Sequence, residues 1–135
     1  MTEKLNTKYE VPYLAGYSKD GSTIYIDRRL PRYFSSSKGK IDLYKYLAVH
    51  ELSEKVIEDK LGLTYQQSHH IATKIEREYL EHDGYDWKEY CNFLAPYIKS
   101  VAKEFTKIPP DLDLEPYEDS KDTKILSMIK KLHTS

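Results

Sequence analysis

The chain has 135 residues and a mass of 15.9 kDa, which fits a single domain over 1–135 with flexible ends at 1–9 and 133–135. Hydrophobic residues make up 39% and charged residues 32%, a balance that excludes a mainly disordered chain. The net charge of −1 excludes the strongly basic surface that is typical of nucleic-acid binding, and no apolar run approaches the roughly 20 residues that span a bilayer.

The first predicted element is a β-hairpin within residues 10–31. Two runs rich in apolar, β-branched and aromatic residues, 11–17 and 23–27, are separated by a polar stretch that contains Asp20-Gly21. Asp-Gly between two such runs is a strong short-range signal for a hairpin. The stretch 35–40 is polar and contains glycine, so it is predicted to be a flexible loop.

From Asp42 the apolar pattern takes a helical period. Six residues advance by three or four positions and share one stripe, namely Leu43, Leu47, His50, Glu54, Ile57 and Leu61. Gly62 predicts the end of this helix. Thr64 and Gln67 predict a capping box that opens a second helix, which runs to about Glu81.

A third helix is predicted to begin near Asp86, with its buried face at Trp87, Tyr90, Leu94, Tyr97, Val101 and Phe105. Three prolines between 108 and 117 predict an extended segment across the body, and a last short helix is predicted from near Asp122. A hairpin followed by helices predicts an α+β fold, in which an N-terminal β-hairpin or small antiparallel sheet packs on three to four helices.

The stripe of the first helix is interrupted by two polar residues, His50 and Glu54, one turn apart. A buried carboxylate without a partner costs several kcal/mol, so Glu54 has to be neutralised, paired or bound to a cation. A His–Glu hydrogen bond in the core and a stripe that faces a wet groove are alternatives to a metal site. Glu51 directly follows His50, which gives the pattern H-E-x-x-E, a variant of the zinc motif H-E-x-x-H.

The second helix supplies a further histidine. Tyr65, His69, Ala72, Glu76 and Tyr79 share one face, which meets His50 and Glu54 if the two helices form an antiparallel hairpin. Two imidazoles and one carboxylate are a common ligand set of catalytic zinc, so we expect His50, Glu54 and His69 to bind zinc.

Two assignments around this set stay open, and one is made. Glu76 is either a partner of a ligand histidine, a replacement ligand or part of a solvated helix face. His70 is an alternative ligand to His69. Glu51 is the expected general base that takes a proton from the attacking water.

The chain resembles small bacterial and phage proteins of zincin type, a class of metallopeptidase-like proteins. The matching stretches are short and span most of the chain: 18–21, 25–28, 50–55, 69–73 and 110–114. The resemblance implies a zincin-like helical core and a zinc-dependent hydrolase acting on a peptide or protein. It also implies that an edge strand, here 23–27, receives extended substrate by strand addition. The chain departs from the family pattern at Glu54, where zincins have a second histidine.

Two other functions are compatible with the residues. A zincin-like domain can serve as a non-catalytic binding or phage accessory module whose metal site is structural or lost. The order of His50, His82-Asp83 and a later aspartate is also similar to metal-dependent phosphohydrolases of HD type. Glu51 favours the zinc hydrolase over the binding module, because a structural metal site has no use for a general base there.

The expected cellular location follows from features that the sequence lacks. Residues 1–6 lack the apolar stretch of a secretory signal, and the single cysteine, Cys91, cannot form an internal disulfide. We therefore expect a cytoplasmic protein without a membrane or nucleic-acid partner.

Overall fold

The computed structural model describes residues 4–11, 14–101 and 109–113, with the side chains of 99–101 excepted. Within these ranges, five short strands precede three helices. The strands are β1 (Lys4–Asn6), β2 (Ala15–Tyr17), β3 (Thr23–Ile26), β4 (Tyr33–Ser36) and β5 (Gly39–Asp42). The helices are α1 (Leu43–Leu61), α2 (Tyr65–His82) and α3 (Trp87–Val101). The predicted α+β class is confirmed. None of the described helices is long and apolar enough to cross a membrane.

The predicted hairpin is present as β2 and β3. The two strands pair antiparallel, with Gly16 opposite Tyr25, and the chain turns at Asp20-Gly21. Gly21 has a φ of +74°, a conformation that glycine adopts without strain. The Asp20 carboxylate holds the turn by accepting hydrogen bonds from the hydroxyls of Ser18 and Ser22.

The sheet has one strand more than the sequence predicts. β1, within the segment expected to be flexible, pairs in parallel with β3, so the sheet is mixed and has the order β1-β3-β2. β3 is therefore the central strand. The prediction that 23–27 forms an edge strand open to substrate is wrong, because both sides of β3 are occupied by neighbouring strands.

The prediction of a flexible loop at 35–40 is also wrong. These residues belong to a second antiparallel hairpin, formed by β4 and β5. Both strands are largely exposed, so they lack the apolar alternation that marks a strand in sequence. The hairpin is held to the body by the buried Ile41 and by Phe34, whose ring stacks on Phe93 of α3 at 4.1 Å.

The helices begin and end where local signals predict. The Asp42 side chain accepts a hydrogen bond from the backbone N–H of Tyr44, and α1 ends at Gly62 in the left-handed conformation. Both hydrogen bonds of the predicted capping box between Thr64 and Gln67 are present at the start of α2.

The helical stripes are buried only in part. On α1 the stripe is buried from Leu43 to Glu54, whereas Leu61 at the end of the helix is 66% exposed. On α2 the buried residues are Ser68, Ala72, Glu76 and Leu80, and the predicted Tyr79 is 52% exposed. Tyr90 and Leu94 of α3 are buried as predicted, whereas Val101 and Phe105 lie outside the described side chains.

One apolar core lies between the β1-β3-β2 sheet, α1 and the facing ends of α2 and α3. Its fully buried members include Ile26, Ile41, Leu43, Leu80 and Tyr90. The rings of several tyrosines lie in or beside this core while their hydroxyls reach carboxylates. These pairs are Tyr17 with Glu58, Tyr25 with Asp111, Tyr46 with Asp83, and Tyr90 with Glu76. This arrangement accounts for part of the high tyrosine content.

The segment 109–113 returns to the sheet. Ser18 and Leu112 form an antiparallel bridge, and Leu112 is buried against Tyr25 and Val11. The segment thus lies against the sheet as predicted, but it is not extended throughout, because the Leu112 N–H donates to the Pro109 carbonyl and closes a turn at 110–111. The predicted helix near Asp122 lies outside the described residues.

Candidate metal centre

The candidate site lies between α1 and α2, which pack as an antiparallel hairpin. The start of α1 contacts the end of α2, as between Lys45 and Asp83. The middle of α1 contacts the middle of α2, as between His50 and Glu76. The short connection at 62–64 and the cap at Thr64 enforce this direction. The turn between the helices therefore brings the polar residues of the two stripes together.

Three of the predicted ligands meet at one point. His50 Nε2 lies 3.0 Å from Glu54 Oε2 and 3.2 Å from His69 Nδ1, and His69 Nδ1 lies 3.2 Å from the same Glu54 oxygen. These residues form a group that could hold a metal ion. Ligand atoms around tetrahedral zinc, at about 2.0–2.1 Å from the metal, are about 3.3 Å apart, so the triangle has nearly the right size.

A metal also resolves a conflict among these contacts. His50 Nδ1 lies 2.9 Å from Glu76 Oε1, which assigns a proton to Nδ1, because only a protonated ring nitrogen can donate to a carboxylate. In a neutral ring, Nε2 then carries a lone pair and has no proton to offer Glu54 or His69. The close approach of these three atoms is satisfied by a proton on His69 Nδ1, by a second proton on the His50 ring or by a metal ion.

Without a metal, the surrounding carboxylates favour a second proton on the His50 ring. Burial lowers the pKa of His50, but hydrogen bonds to Glu54 and Glu76 outweigh burial and raise that pKa to about 10. Burial raises the pKa of Glu54, but its hydrogen bonds to His50 and His69 outweigh burial and lower it. The raised pKa of His50 and the lowered pKa of Glu54 both indicate that a positive charge is stabilised within the cluster.

The cluster is rich in buried carboxylates. Glu51, Glu54 and Glu76 are at most 7% exposed, and within the described residues no lysine or arginine forms an ion pair with any of them. Burying several carboxylates is costly unless a cation compensates for them. A divalent ion on His50, Glu54 and His69 would supply that compensation.

Glu51 lies beside the three donors and differs from them in its contacts. The residue is only 7% exposed, yet within the described part of the chain its carboxylate takes part in no hydrogen bond or ion pair. Burial and the nearby Glu54 carboxylate raise the pKa of Glu51 to about 8. The side chain lines the same pocket as His50 and His69, so its carboxylate is placed to meet a molecule that enters there.

Glu76 contacts His50 rather than the triangle of donors. One of its oxygens lies 2.9 Å from His50 Nδ1, and the other accepts a hydrogen bond from the Tyr90 hydroxyl at 2.5 Å. Of the three roles left open for Glu76, this geometry is that of a partner of a ligand histidine. Sequence analysis missed Tyr90 as part of the site, because its spacing on α3 indicates only a core position.

The remaining candidates lie outside the group. His70 is exposed and makes none of the contacts within the triangle, whereas its neighbour His69 does. His82 is 90% exposed at the end of α2, and Asp83 is bound by Lys45 and Tyr46. The pair required by the phosphohydrolase alternative is therefore not brought to His50.

The site is open on one side. Among the three donors, His50 and Glu54 are buried, whereas the His69 side chain is 49% exposed. Structural zinc sites are closed by four protein ligands, and catalytic sites keep a position for water or substrate. Three protein donors, of which His50 and His69 line a pocket, correspond to the second arrangement.

Comparison with protein-family models, with curated proteins and with solved structures found no match to this chain.

Proposed function

We propose that this protein is a zinc-dependent hydrolase in which Glu51 is the general base. The observation that carries the proposal is the position of Glu51. Glu51 is 7% exposed and lines the pocket that His50 and His69 also line, and it has no hydrogen-bond partner among the described residues. A nearly buried carboxylate whose oxygens have no partner in the described part of the chain and reach only the pocket is costly for folding, so a role in binding or chemistry accounts best for its presence.

The donor set supports zinc as the metal. His50 and His69 offer ring nitrogens and Glu54 offers one oxygen. Magnesium and calcium prefer sites made of oxygen ligands, whereas two imidazoles with one carboxylate are a known set for catalytic zinc. Glu54 thus replaces the second histidine of H-E-x-x-H, and His69 restores the balance of nitrogen and oxygen donors.

The chemistry of hydrolysis assigns a role to each residue. Zinc held here would polarise a carbonyl oxygen and lower the pKa of a coordinated water towards about 7. Glu51 takes the proton of the attacking water as the water oxygen bonds to the carbonyl carbon. Glu51 then passes this proton to the leaving nitrogen or oxygen as its bond to that carbon breaks. Glu76 keeps the proton of His50 on Nδ1, so that Nε2 faces the donors of the site.

The test compares His50→Ala and Glu51→Gln with the parent protein. Zinc content is measured by elemental analysis, and hydrolysis is measured with 4-nitrophenyl acetate. His50→Ala should lose both zinc and activity. Glu51→Gln should keep zinc and lose about 10²-fold or more of the turnover, because the amide keeps the shape of glutamate but cannot accept a proton.

Two outcomes would contradict the proposal. Release of zinc by Glu51→Gln would make Glu51 a ligand instead of the base. Zinc binding by a parent protein that does not hydrolyse the ester would favour the alternative of a non-catalytic binding module with a structural metal.

A further inference from the structure

The pocket beside the three donors has a volume of about 380 Å³. Its polar side is formed by His50, Glu51, His69 and Glu76. The rest of its wall is largely apolar and includes Leu14, Ala15, Leu47, Trp87, Leu94 and Ile98. Sites for small molecules have volumes of roughly 300–1,000 Å³ and combine mainly apolar walls with a few polar groups. The pocket therefore has the size and the composition of a small-molecule site.

The apolar wall is assembled from three parts of the fold. Leu47 lies one turn before His50 and Glu51 on α1, Leu14 and Ala15 lie at the start of β2, and α3 closes the opposite side. Leu14 has a φ of +77°, which is strained for a residue other than glycine. Backbone strain of this kind is concentrated at functional sites, and here it lies in the pocket wall.

The sheet edge beside the pocket is paired by the chain itself. The Lys19 N–H donates to the Asp111 carbonyl and the Asp113 N–H donates to the Tyr17 carbonyl, each at 2.9 Å. These bonds occupy the outer side of β2 just beyond Ala15. An extended peptide adding to β2 would need the same backbone groups. The central strand β3 is paired on both sides, so strand addition next to the pocket is restricted.

We infer that the site takes a compact carbonyl compound that carries an apolar group of about ring size, and not the middle of an extended polypeptide. The inference rests on the proposed function, because it places the carbonyl at the metal and the apolar group against Leu94 and Ile98. This substrate class differs from the peptide or protein substrate that the resemblance to zincins implies.

The test uses two hydroxamic acids, which bind zinc through the same group and differ in their tails. Binding of acetohydroxamic acid and of 3-phenylpropanohydroxamic acid to the zinc-loaded protein is measured by calorimetry. Burial of the phenyl tail should make the second compound bind about 10- to 100-fold more tightly. A capped pentapeptide with a central phenylalanine should not displace it.

Two matched variants test whether the phenyl tail binds in this pocket. Ile98 and Leu52 are both exposed, at 39% and 38%, but only Ile98 lines the pocket. Ile98→Asn should remove most of the gain due to the phenyl tail while acetohydroxamic acid binds as before. Leu52→Asn, on the outer face of α1, should keep the full gain.

The outcomes separate this inference from the proposed function. If neither hydroxamic acid binds, the open zinc site itself is wrong. If both bind equally, or if Ile98→Asn and Leu52→Asn behave alike, the metal site stands and the apolar pocket is not the binding site. Tighter binding of the pentapeptide than of the phenyl compound would overturn the compact substrate class.

Discussion

The hydroxyl of Tyr90 donates a hydrogen bond to Glu76 Oε2 at 2.5 Å, while the other oxygen of the same carboxylate lies 2.9 Å from His50 Nδ1. Burial and the Glu76 carboxylate hold the pKa of Tyr90 well above 10, so the phenol remains a donor. A residue of α3 thereby contacts the site through α2. Such outer partners fix the ring orientation and the basicity of a metal-binding histidine.

Tyr90→Phe should weaken zinc binding by about 10-fold, because Glu76 loses the donor that holds it against His50. Zinc affinity is measured by competition with a chromophoric chelator. The matched control is Tyr46→Phe, which removes a hydroxyl that binds Asp83 at the end of α2 and makes no contact with Glu76. Both variants should lose about 1–3 kcal/mol of unfolding free energy, but only Tyr90→Phe should change zinc affinity. Equal zinc affinities in the two variants would mean that Tyr90 has a structural role alone.

The protein should bind about one zinc ion per chain, and the bound ion should stabilise the fold. At a free zinc concentration 100 times the Kd, the gain in unfolding free energy should be about 2.7 kcal/mol, and a chelator should reverse it. Thermal unfolding with and without zinc measures this gain. His69→Ala should remove the stabilisation, whereas His70→Ala, which changes the exposed neighbour, should retain it. The reverse result would make His70 the ligand.

Glu51→Gln should make the metal-free protein more stable. The substitution removes a buried carboxylate that has no hydrogen-bond partner among the described residues and lies close to Glu54. We expect a gain of about 0.5–2 kcal/mol in unfolding free energy, measured with urea in the presence of a chelator. Glu58→Gln is the control, because the Glu58 carboxylate accepts a hydrogen bond from Tyr17 at 2.7 Å. A loss of stability in Glu51→Gln would show that the carboxylate has a favourable partner.

Asp83 should contribute to the acid sensitivity of the fold. Hydrogen bonds from Lys45 and Tyr46 lower the pKa of Asp83 below its ordinary value of 3.8. Because the pKa is lower in the folded than in the unfolded chain, the stabilisation is present above about pH 4 and is lost as the pH falls through the folded pKa. Asp83→Asn should therefore be less stable than the parent at pH 7, and the difference should shrink towards pH 3.

Urea unfolding between pH 3 and pH 7 measures this difference. Lys45→Met removes the strongest of the two donors and should change the pH dependence in the same direction. A difference between Asp83→Asn and the parent that stays constant over this range would contradict the assignment.

The elements that sequence analysis predicted correctly are those with local signals. Asp20-Gly21 marks a turn, Gly62 ends a helix, and Thr64 with Gln67 caps the next one, each within a few residues of chain. The strands that it missed depend on distant partners or on weak patterns. β1 has three residues and pairs with β3 about 19 positions later, and β4 and β5 are too exposed to alternate.

The candidate site follows the same rule. His50 and Glu54 are one turn apart, and an antiparallel helix hairpin is enough to bring His69 to them, so the group was predictable. The hydrogen bond from Tyr90 to Glu76 was not predictable, because Tyr90 lies on a third helix whose packing angle no local signal specifies. The restricted edge of β2 was also unpredictable, since the residues that pair with it are more than 90 positions away.

The attachment of residues 109–113 has a consequence for the order of folding. The β2–β3 hairpin and the α1–α2 hairpin are built from contacts that are close in the chain, whereas the hydroxyl of Tyr25 donates to the carboxylate of Asp111 across 86 positions. Closing a loop of that length is slow relative to local pairing, and only a few hydrogen bonds offset its entropy cost here. This segment should therefore join the sheet last, and the amide hydrogens of Lys19 and Asp113 should exchange with solvent by local opening before those of β3 do.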